Sequence, residues 1–148
     1  MGEDLVVDAS SLIVGRLSSI VAKQLLQGKR VTIVNAEKAL MTGSRQRTIN
    51  DRLLFLDVKG RISSRHTPRH FRRPDNFLRR SIRGMLPRRK ASGAAAFKRL
   101  RVFIGVPEQY KAAAASRFDE ARFEGAGRKC ITLGELCSAI GWPGEKKS

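Results

Sequence analysis

The first forty residues alternate between strand-like and helix-like patterns of apolar positions. Residues 5–8 form a short β-rich run, and residues 15–27 carry apolar side chains at helical spacing before Gly28, a residue that commonly ends helices. Residues 31–34 follow as a nearly continuous apolar run, which is typical of a strand covered on both faces. Because two strands joined by a crossover helix imply a parallel pair, the pattern predicts an α/β sheet.

A second helix is predicted over residues 44–58. Its buried side would be formed by three apolar residues, Ile49, Leu53 and Leu56. From residue 59 to residue 90 the chain is dense in arginine, interrupted by prolines and poor in apolar residues. This composition predicts an extended, largely surface-lying arm with a short helix near residues 75–83.

The pattern becomes regular again after the arginine-rich stretch. Residues 91–100 have helical composition, and residues 101–106 are predicted as a third strand. Residues 108–123 fit either a helix, because alanine-rich sequence favours one, or an irregular excursion. Residues 129–132 are a candidate edge strand.

The spacing of Thr132 and Glu135 matches a capping box, in which two side chains satisfy backbone amides at the start of a helix. We therefore predict a last short helix that runs to Ile140 and is stopped by Gly141. With 148 residues the chain is expected to fold as a single domain, 1–148.

Two cysteines, Cys130 and Cys137, are too few for a disulfide framework and indicate a reducing compartment. Both lie in apolar stretches, so we expect buried structural thiols. The N-terminus is acidic where a secretory signal would be basic, and no apolar run reaches the length of a membrane span. These features predict a cytoplasmic protein with no membrane partner.

The net charge of +17 is concentrated in one block of the chain. Residues 61–101 hold fourteen Lys or Arg residues and one acid, Asp75, whereas the other residues are close to balanced. Positive charges that are held close together repel one another, so this segment is expected to bind a polyanion that neutralises them. Nucleic acid is the commonest such polyanion. Twelve of the fourteen are Arg, whose guanidinium binds phosphate through paired hydrogen bonds and stacks on bases.

A disordered, solvated tail is the alternative reading of a charge run. This run is internal, and it is interleaved with apolar residues that a tail does not need, namely Phe71, Phe77, Leu78, Ile82, Met85 and Leu86. The chain has no helix-turn-helix, zinc finger or basic zipper, and no aromatic strand pair of the kind that stacks single-stranded bases. The sequence therefore favours binding to folded RNA over binding to DNA.

Motifs for catalysis or metal binding are missing. The turn after the first strand holds one glycine, Gly15, which does not make a dinucleotide fingerprint. His66 and His70 are four residues apart, but Pro68 lies between them and the neighbouring arginines would repel a dication. A cluster of acids is better explained as a solvated or ion-paired surface than as a catalytic pair, namely Asp119, Glu120 and Glu124. We expect no enzymatic activity, no cofactor, no metal and no small-molecule substrate.

Four ordered blocks of the sequence resemble a known family. Residues 72–90 read RRPDNFLRRSIRGMLPRRK, and residues 94–110 read AAAFKRLRVFIGVPEQY. Together with VVDASSLIVGRLSSIVAKQLLQGKRVTIVNAEKALMTGSR near the start, these blocks resemble the universal large-subunit ribosomal protein thirteen family. The block CITLGELCSAIGW near the end resembles the archaeal and eukaryotic branch of that family.

The resemblance implies a three-layer α/β/α fold around a four-stranded parallel sheet, together with the Arg-rich extended arm over about residues 59–90. It implies a structural, non-catalytic part of the large ribosomal subunit in the cytoplasm, which binds rRNA, supports assembly and contacts neighbouring ribosomal proteins. A non-ribosomal RNA-binding module is the alternative, and a small nucleotide-using α/β enzyme is a third reading.

Combined with the charge pattern, the resemblance yields a set of candidate rRNA-binding residues, which we call the basic set. Its members are Arg45, Arg47, Arg61, Arg65, Arg69, Arg72, Arg73, Arg79, Arg80, Arg83, Arg88, Arg89, Lys90, Lys98 and Arg99. Gly84 is expected to allow a turn or a close approach of the backbone to RNA. Met85 and Leu86 are expected to anchor the arm to the body of the protein.

Overall fold

A computed structural model describes residues 4–63, 65–112, 115–116, 118–125 and 127–144. The first three elements are β1 (Asp4–Asp8), α1 (Val14–Leu26) and β2 (Arg30–Val34), and the two strands pair in parallel as predicted. Helix α1 ends because Gly28 takes a positive φ of 98°, a backbone conformation that residues with a side chain rarely adopt.

Further along the chain, short strands alternate with helices. The remaining elements are a 3-10 turn (Ala36–Lys38), β3 (Leu40–Thr42), α2 (Arg45–Asp57), α3 (Pro74–Met85), α4 (Ala91–Lys98), β4 (Leu100–Val102), α5 (Glu108–Lys111), a second 3-10 turn (Asp119–Ala121), β5 (Cys130–Thr132) and α6 (Leu133–Ala139). The third strand is thus shorter than predicted. Within residues 108–123 the irregular alternative is the better description, since the described part holds two short helical turns; residues 113, 114 and 117 lie outside the described part.

The mixed α/β class is confirmed, but the prediction of four parallel strands is wrong. The sheet has three parallel strands in the order β1–β2–β4, and β3 pairs separately and antiparallel with β5. Beside β1, where a fourth strand would lie, Ser116 makes a single-residue bridge to Val7, and its amide donates to the carbonyl of Val6 at 2.8 Å. One bridge leaves most of that strand edge without a ladder partner among the described residues.

The two faces of the sheet have different surroundings. Helices α1 and α3 pack on the face that carries the fully buried residues Val7, Val31 and Ile33. On the opposite face the described side chains are exposed at three positions, half-buried at three and buried at one: Asp4, Arg30 and Arg101, then Val6, Asp8 and Thr32, and finally Val34. A second helical layer is therefore not seen over most of these positions, and β2 is not apolar on both sides as predicted.

Helix α3 shows that the arginine-rich stretch is not one extended arm. Pro74 occupies the first turn, where its missing amide costs nothing, and Phe77, Leu78 and Ile82 pack into the core against α1. The prediction of a helix here is confirmed, whereas the prediction of a surface-lying arm is wrong for residues 74–85. Apolar residues at helical spacing bury this helix despite its arginines, because Arg79, Arg80 and Arg83 lie on its exposed side.

Two further predictions need correction. Helix α2 forms as predicted, with the Ser44 hydroxyl accepting from the amide of Arg47 at 3.4 Å, but Leu53 is 43% exposed rather than buried. Cys137 is buried as expected, whereas Cys130 is exposed on β5, at the edge of its two-stranded sheet. The predicted cap of α6 is confirmed, since the Thr132 hydroxyl accepts from the amide of Glu135 at 3.2 Å.

Candidate nucleic-acid interface

The basic set lies almost entirely at the surface. Fourteen of its fifteen members are exposed, and Arg99 is half-buried. Among the described residues, Arg73 is the one member that forms an ion pair, with Asp75 at 3.0 Å. Asp75 is the single acid of residues 61–101 and lies in the first turn of α3, where a negative charge also favours the helix dipole. The charge of the set is therefore left almost uncompensated by the protein.

Helix α3 orients the centre of this surface. Because Phe77, Leu78 and Ile82 are fixed in the core, Arg79, Arg80 and Arg83 must point away from it. Arg79 and Arg83 are four residues apart and so lie on one stripe, one helical turn above each other. The Arg79 guanidinium sits 4.9 Å from the ring centroid of Phe97 on α4, an arrangement that holds the side chain in place without neutralising it.

Arg80 ties residues 69–71 to α3. Its Nη1 donates to the carbonyl of Arg69 at 2.6 Å, and its guanidinium lies 5.5 Å from the ring centroid of Phe71. His70 extends the same connection to α2: its Nε2 is 2.8 Å from the carbonyl oxygen of Val58, and its ring meets Phe55 edge-on at 5.0 Å. His70 therefore joins α2 to the segment that precedes α3.

The segment after α3 presents three more cations. Leu86 is buried and anchors the segment as predicted, whereas Met85 is 46% exposed and does not. The carbonyl of Pro87 accepts from the amide of Lys90 at 3.0 Å, forming a tight turn that projects Arg88, Arg89 and Lys90. This turn packs so closely on Gly93 of α4 that any side chain there would overlap the Pro87 carbonyl. The close contact fixes where the three cations lie.

Gly84 does not have the turn conformation expected of it. It lies inside α3, and a Cβ added to it would meet nothing within 4 Å. The fold therefore does not require glycine at this position, and the close approach to RNA stays a prediction.

Arg99 differs from the rest of the basic set. Its Nη2 donates to the Leu25 carbonyl at 2.7 Å, which joins the end of α1 to the start of β4. Next to it, Lys98 lines a groove of about 450 Å³ on the open face of the sheet, together with Arg30 and Arg101. The sequence reasoning missed Arg30 and Arg101. The strand register could have indicated them, because Arg101 pairs with Thr32 on the face opposite the buried Val31 and Ile33.

A third arginine that the sequence pattern does not single out is Arg52 on α2. Its guanidinium lies 4.4 Å from the ring centroid of Phe77, so α2 and α3 meet at this side chain. Arg45 and Arg47 stand in the first turn of the same helix and are exposed. Arg61 and Arg65 are exposed in the segment between α2 and α3. The contacts of Arg52 and Arg80 therefore bring together the basic residues of α2, of α3 and of the segment that joins these helices.

Other kinds of site find no support in the described part of the chain. There, no group of three or more His, Cys, Asp or Glu residues is arranged to hold a metal ion. None of the helices in the described ranges combines the length and apolar character needed to cross a bilayer. What the described residues do assemble is a broad, exposed, cationic surface.

Comparison with known proteins gives a consistent result. The family model described as Ribosomal protein L13 matches residues 3–109. Among similar curated proteins, the large ribosomal subunit protein uL13 of Aeropyrum pernix is 41% identical over 95% of this chain and 92% of its own length. The proteins of the same name from Sulfurisphaera tokodaii (43% identical, covering 95% and 97%) and Archaeoglobus fulgidus (38%, covering 97% and 92%) are similarly close. The family match covers well over half of the chain and the relatives cover nearly all of it, so the chain belongs to the ribosomal protein L13 family.

Proposed function

We propose that this protein is a structural component of the large ribosomal subunit, where it binds folded rRNA through the basic set and supports subunit assembly. The observation that carries the proposal is the near absence of acidic partners for these cations: Asp75 neutralises Arg73, and the other exposed members have no carboxylate partner among the described residues. Thirteen surplus positive charges on one chain segment need a polyanion to neutralise them. Because the relatives are named as large ribosomal subunit proteins, we take this polyanion to be rRNA.

The protein is proposed to act as one RNA-binding domain over residues 1–148, located in the ribosome and in contact with neighbouring ribosomal proteins. It would have no catalytic role, because RNA binding by this surface requires only phosphate contacts and stacking. Arginine suits both, since its planar guanidinium forms paired hydrogen bonds with phosphate and stacks on flat groups. The rings of Phe97 and Phe71 already lie beside the guanidiniums of Arg79 and Arg80, at 4.9 Å and 5.5 Å, without cancelling their charge.

Sedimentation of a cell lysate through a sucrose gradient tests the location. The tagged protein should travel with the large subunit and remain there after a wash in moderate salt. Recovery only at the top of the gradient would contradict the ribosomal assignment. A direct binding titration with rRNA tests the interface itself: if about eight phosphates are engaged, log affinity should fall against log salt with a slope of about −6 to −7.

A further inference from the structure

A cavity of about 240 Å³ lies between α2, α3 and the end of α6. Three aromatic rings line it, those of Phe55, Phe71 and Phe77, and two guanidiniums, those of Arg52 and Arg80, face into it. We call it the Arg52–Arg80 cavity. Ligand sites for complete small molecules are usually larger, about 300–1,000 Å³, so this space suits a single flat group rather than a whole nucleotide cofactor.

The charges around the cavity are unbalanced. Arg52 lies over Phe77, while Arg80 lies 5.5 Å from the centroid of Phe71 and 5.8 Å from that of Phe55. Partial burial, and then the positive charge of Arg80, lower the pKa of Arg52, whereas Cys137 and Asp51 act in the opposite direction. Neither guanidinium has an ion-pair partner in the described ranges. An anion placed between them would relieve their repulsion and accept hydrogen bonds from both.

The composition of the walls matches one kind of flat anionic ligand. Proteins that read single-stranded parts of folded RNA stack unpaired bases on aromatic rings and guanidinium planes, and hold the adjoining phosphates with cations. The Arg52–Arg80 cavity offers both elements within one half-open space. An apolar side chain from a neighbouring protein could use the rings, but it would leave the two cations without a counterion.

Gly84 has a place in this arrangement that the fold alone does not give it. It stands on the lining of the cavity, inside α3, with no atom within 4 Å of the position where a Cβ would be. Glycine inside a helix is less favourable than alanine, so alanine would make the helix more stable at a position that has room for a side chain. We therefore infer that glycine is found at this position because a side chain would narrow the cavity.

We propose that the Arg52–Arg80 cavity receives one unstacked base of rRNA, with an adjoining phosphate held between Arg52 and Arg80. This rests on the proposed function, because it names a base-binding subsite within the rRNA interface. It differs from a general phosphate-binding surface in one respect that can be measured: one nucleotide, and not only the backbone, is enclosed by the protein.

The variant Gly84→Leu tests the proposal because it places a side chain in the cavity while keeping both arginines. Gly15→Leu is a matched control: Gly15 is also an exposed helical glycine with nothing within 4 Å of its Cβ position, and it lies on α1 outside the cavity. Gly84→Ala provides a graded step. Each full-length protein is titrated with in vitro transcribed large-subunit rRNA, and base reactivity is then mapped with dimethyl sulfate and carbodiimide.

We expect Gly84→Leu to bind roughly tenfold more weakly, within the range of about 5- to 150-fold that corresponds to losing one stacked base, and Gly84→Ala to lose less. One base protected by the wild type should become reactive, and Gly15→Leu should behave as the wild type does. Equal affinity and unchanged protection for all variants would overturn the cavity proposal while leaving rRNA binding in place. Failure of the wild type to bind would instead reject the proposed function.

A second variant keeps the test decisive if Gly84→Leu does not fold. Phe55 is 37% exposed, so Phe55→Ala removes one wall of the cavity without emptying the core. It should expose the same base to the probes, and a protection pattern identical to that of the wild type would overturn the proposal.

Discussion

Replacing Arg79, Arg80 and Arg83 together by alanine separates their role in binding from their role in the fold. The Arg79 contact with Phe97 is worth about 0.5–1 kcal/mol at an exposed site. The Arg80 hydrogen bond and its ring contacts add about 0.5–1.5 kcal/mol, and Arg83 makes no contact that predicts a measurable loss. The triple variant should therefore lose about 1–2.5 kcal/mol of stability and still fold, because domains of this kind are stable by about 5–15 kcal/mol.

Binding should respond more strongly than folding does. Each phosphate contact contributes about 0.7–0.9 to the slope of log affinity against log salt, so removing three arginines that bind phosphate should reduce the slope by about 2 to 3. The affinity should fall more at low salt than at high salt, since the missing term is the release of counterions. Removal of a base-specific interaction alone would leave the slope almost unchanged.

Urea unfolding of the free protein and filter binding to rRNA at several salt concentrations measure the two effects. A charge-matched control replaces three exposed arginines outside the block, Arg16, Arg122 and Arg128. The reasoning is refuted if the α3 variant keeps the wild-type slope, or if the control loses as much slope as the α3 variant does. Unfolding of the triple variant in buffer would show that these arginines are mainly structural.

Four further predictions concern the packing of the fold and its two cysteines. Leu78→Ala should cost about 2–5 kcal/mol in a urea titration because Leu78 is fully buried, and a loss below about 1 kcal/mol would contradict the packing of α3. Gly93→Ala should destabilise the protein by more than about 1 kcal/mol through overlap with the Pro87 carbonyl, whereas a neutral result in thermal melting would rule out the close contact. Burial raises the pKa of the Cys137 thiol from 9.0 to about 12. Between these two values the folded protein keeps a proton that the unfolded chain has lost, so the free energy of unfolding should fall as pH rises from about 9 towards 12. Cys137→Ala should make this fall less steep. Native alkylation near pH 8, read by mass spectrometry, should label Cys130 and spare Cys137.

Local sequence signals are sufficient wherever a single element carries its own pattern. The strand–helix–strand start and the Thr132 cap of α6 depend on neighbouring residues only, and both are confirmed. Even α3 is predicted correctly as a helix. Its burial is not predicted because composition outweighs periodicity: five arginines between residues 72 and 83 suggest a surface segment, although Phe77, Leu78 and Ile82 form a complete apolar stripe.

Long-range pairing is beyond what the local pattern can supply. Residues 129–132 are predicted correctly as a strand, but only the folded chain shows that β5 pairs with β3 instead of extending the parallel sheet. Similarly, the apolar run at residues 31–34 gives no indication that one face of β2 stays open. The described residues between 108 and 125 contribute a bridge from Ser116 to β1 and no strand.

At the candidate site, too, the sequence gives only part of the answer. The many arginines indicate a binding surface, but they do not show which of them also make contacts within the protein. Arg52, Arg79, Arg80 and Arg99 all make contacts inside the protein, and in each case the contact found is an aromatic ring or a backbone carbonyl. Such partners restrain a guanidinium but do not cancel its charge, and a guanidinium with five N–H donors retains most of them after one hydrogen bond. Ion pairs to carboxylates would have held the segments equally well while removing the charge that phosphate needs. The scarcity of acids between residues 61 and 101 therefore lets the same side chains join α2, α3 and α4 and still present an uncompensated positive surface to RNA.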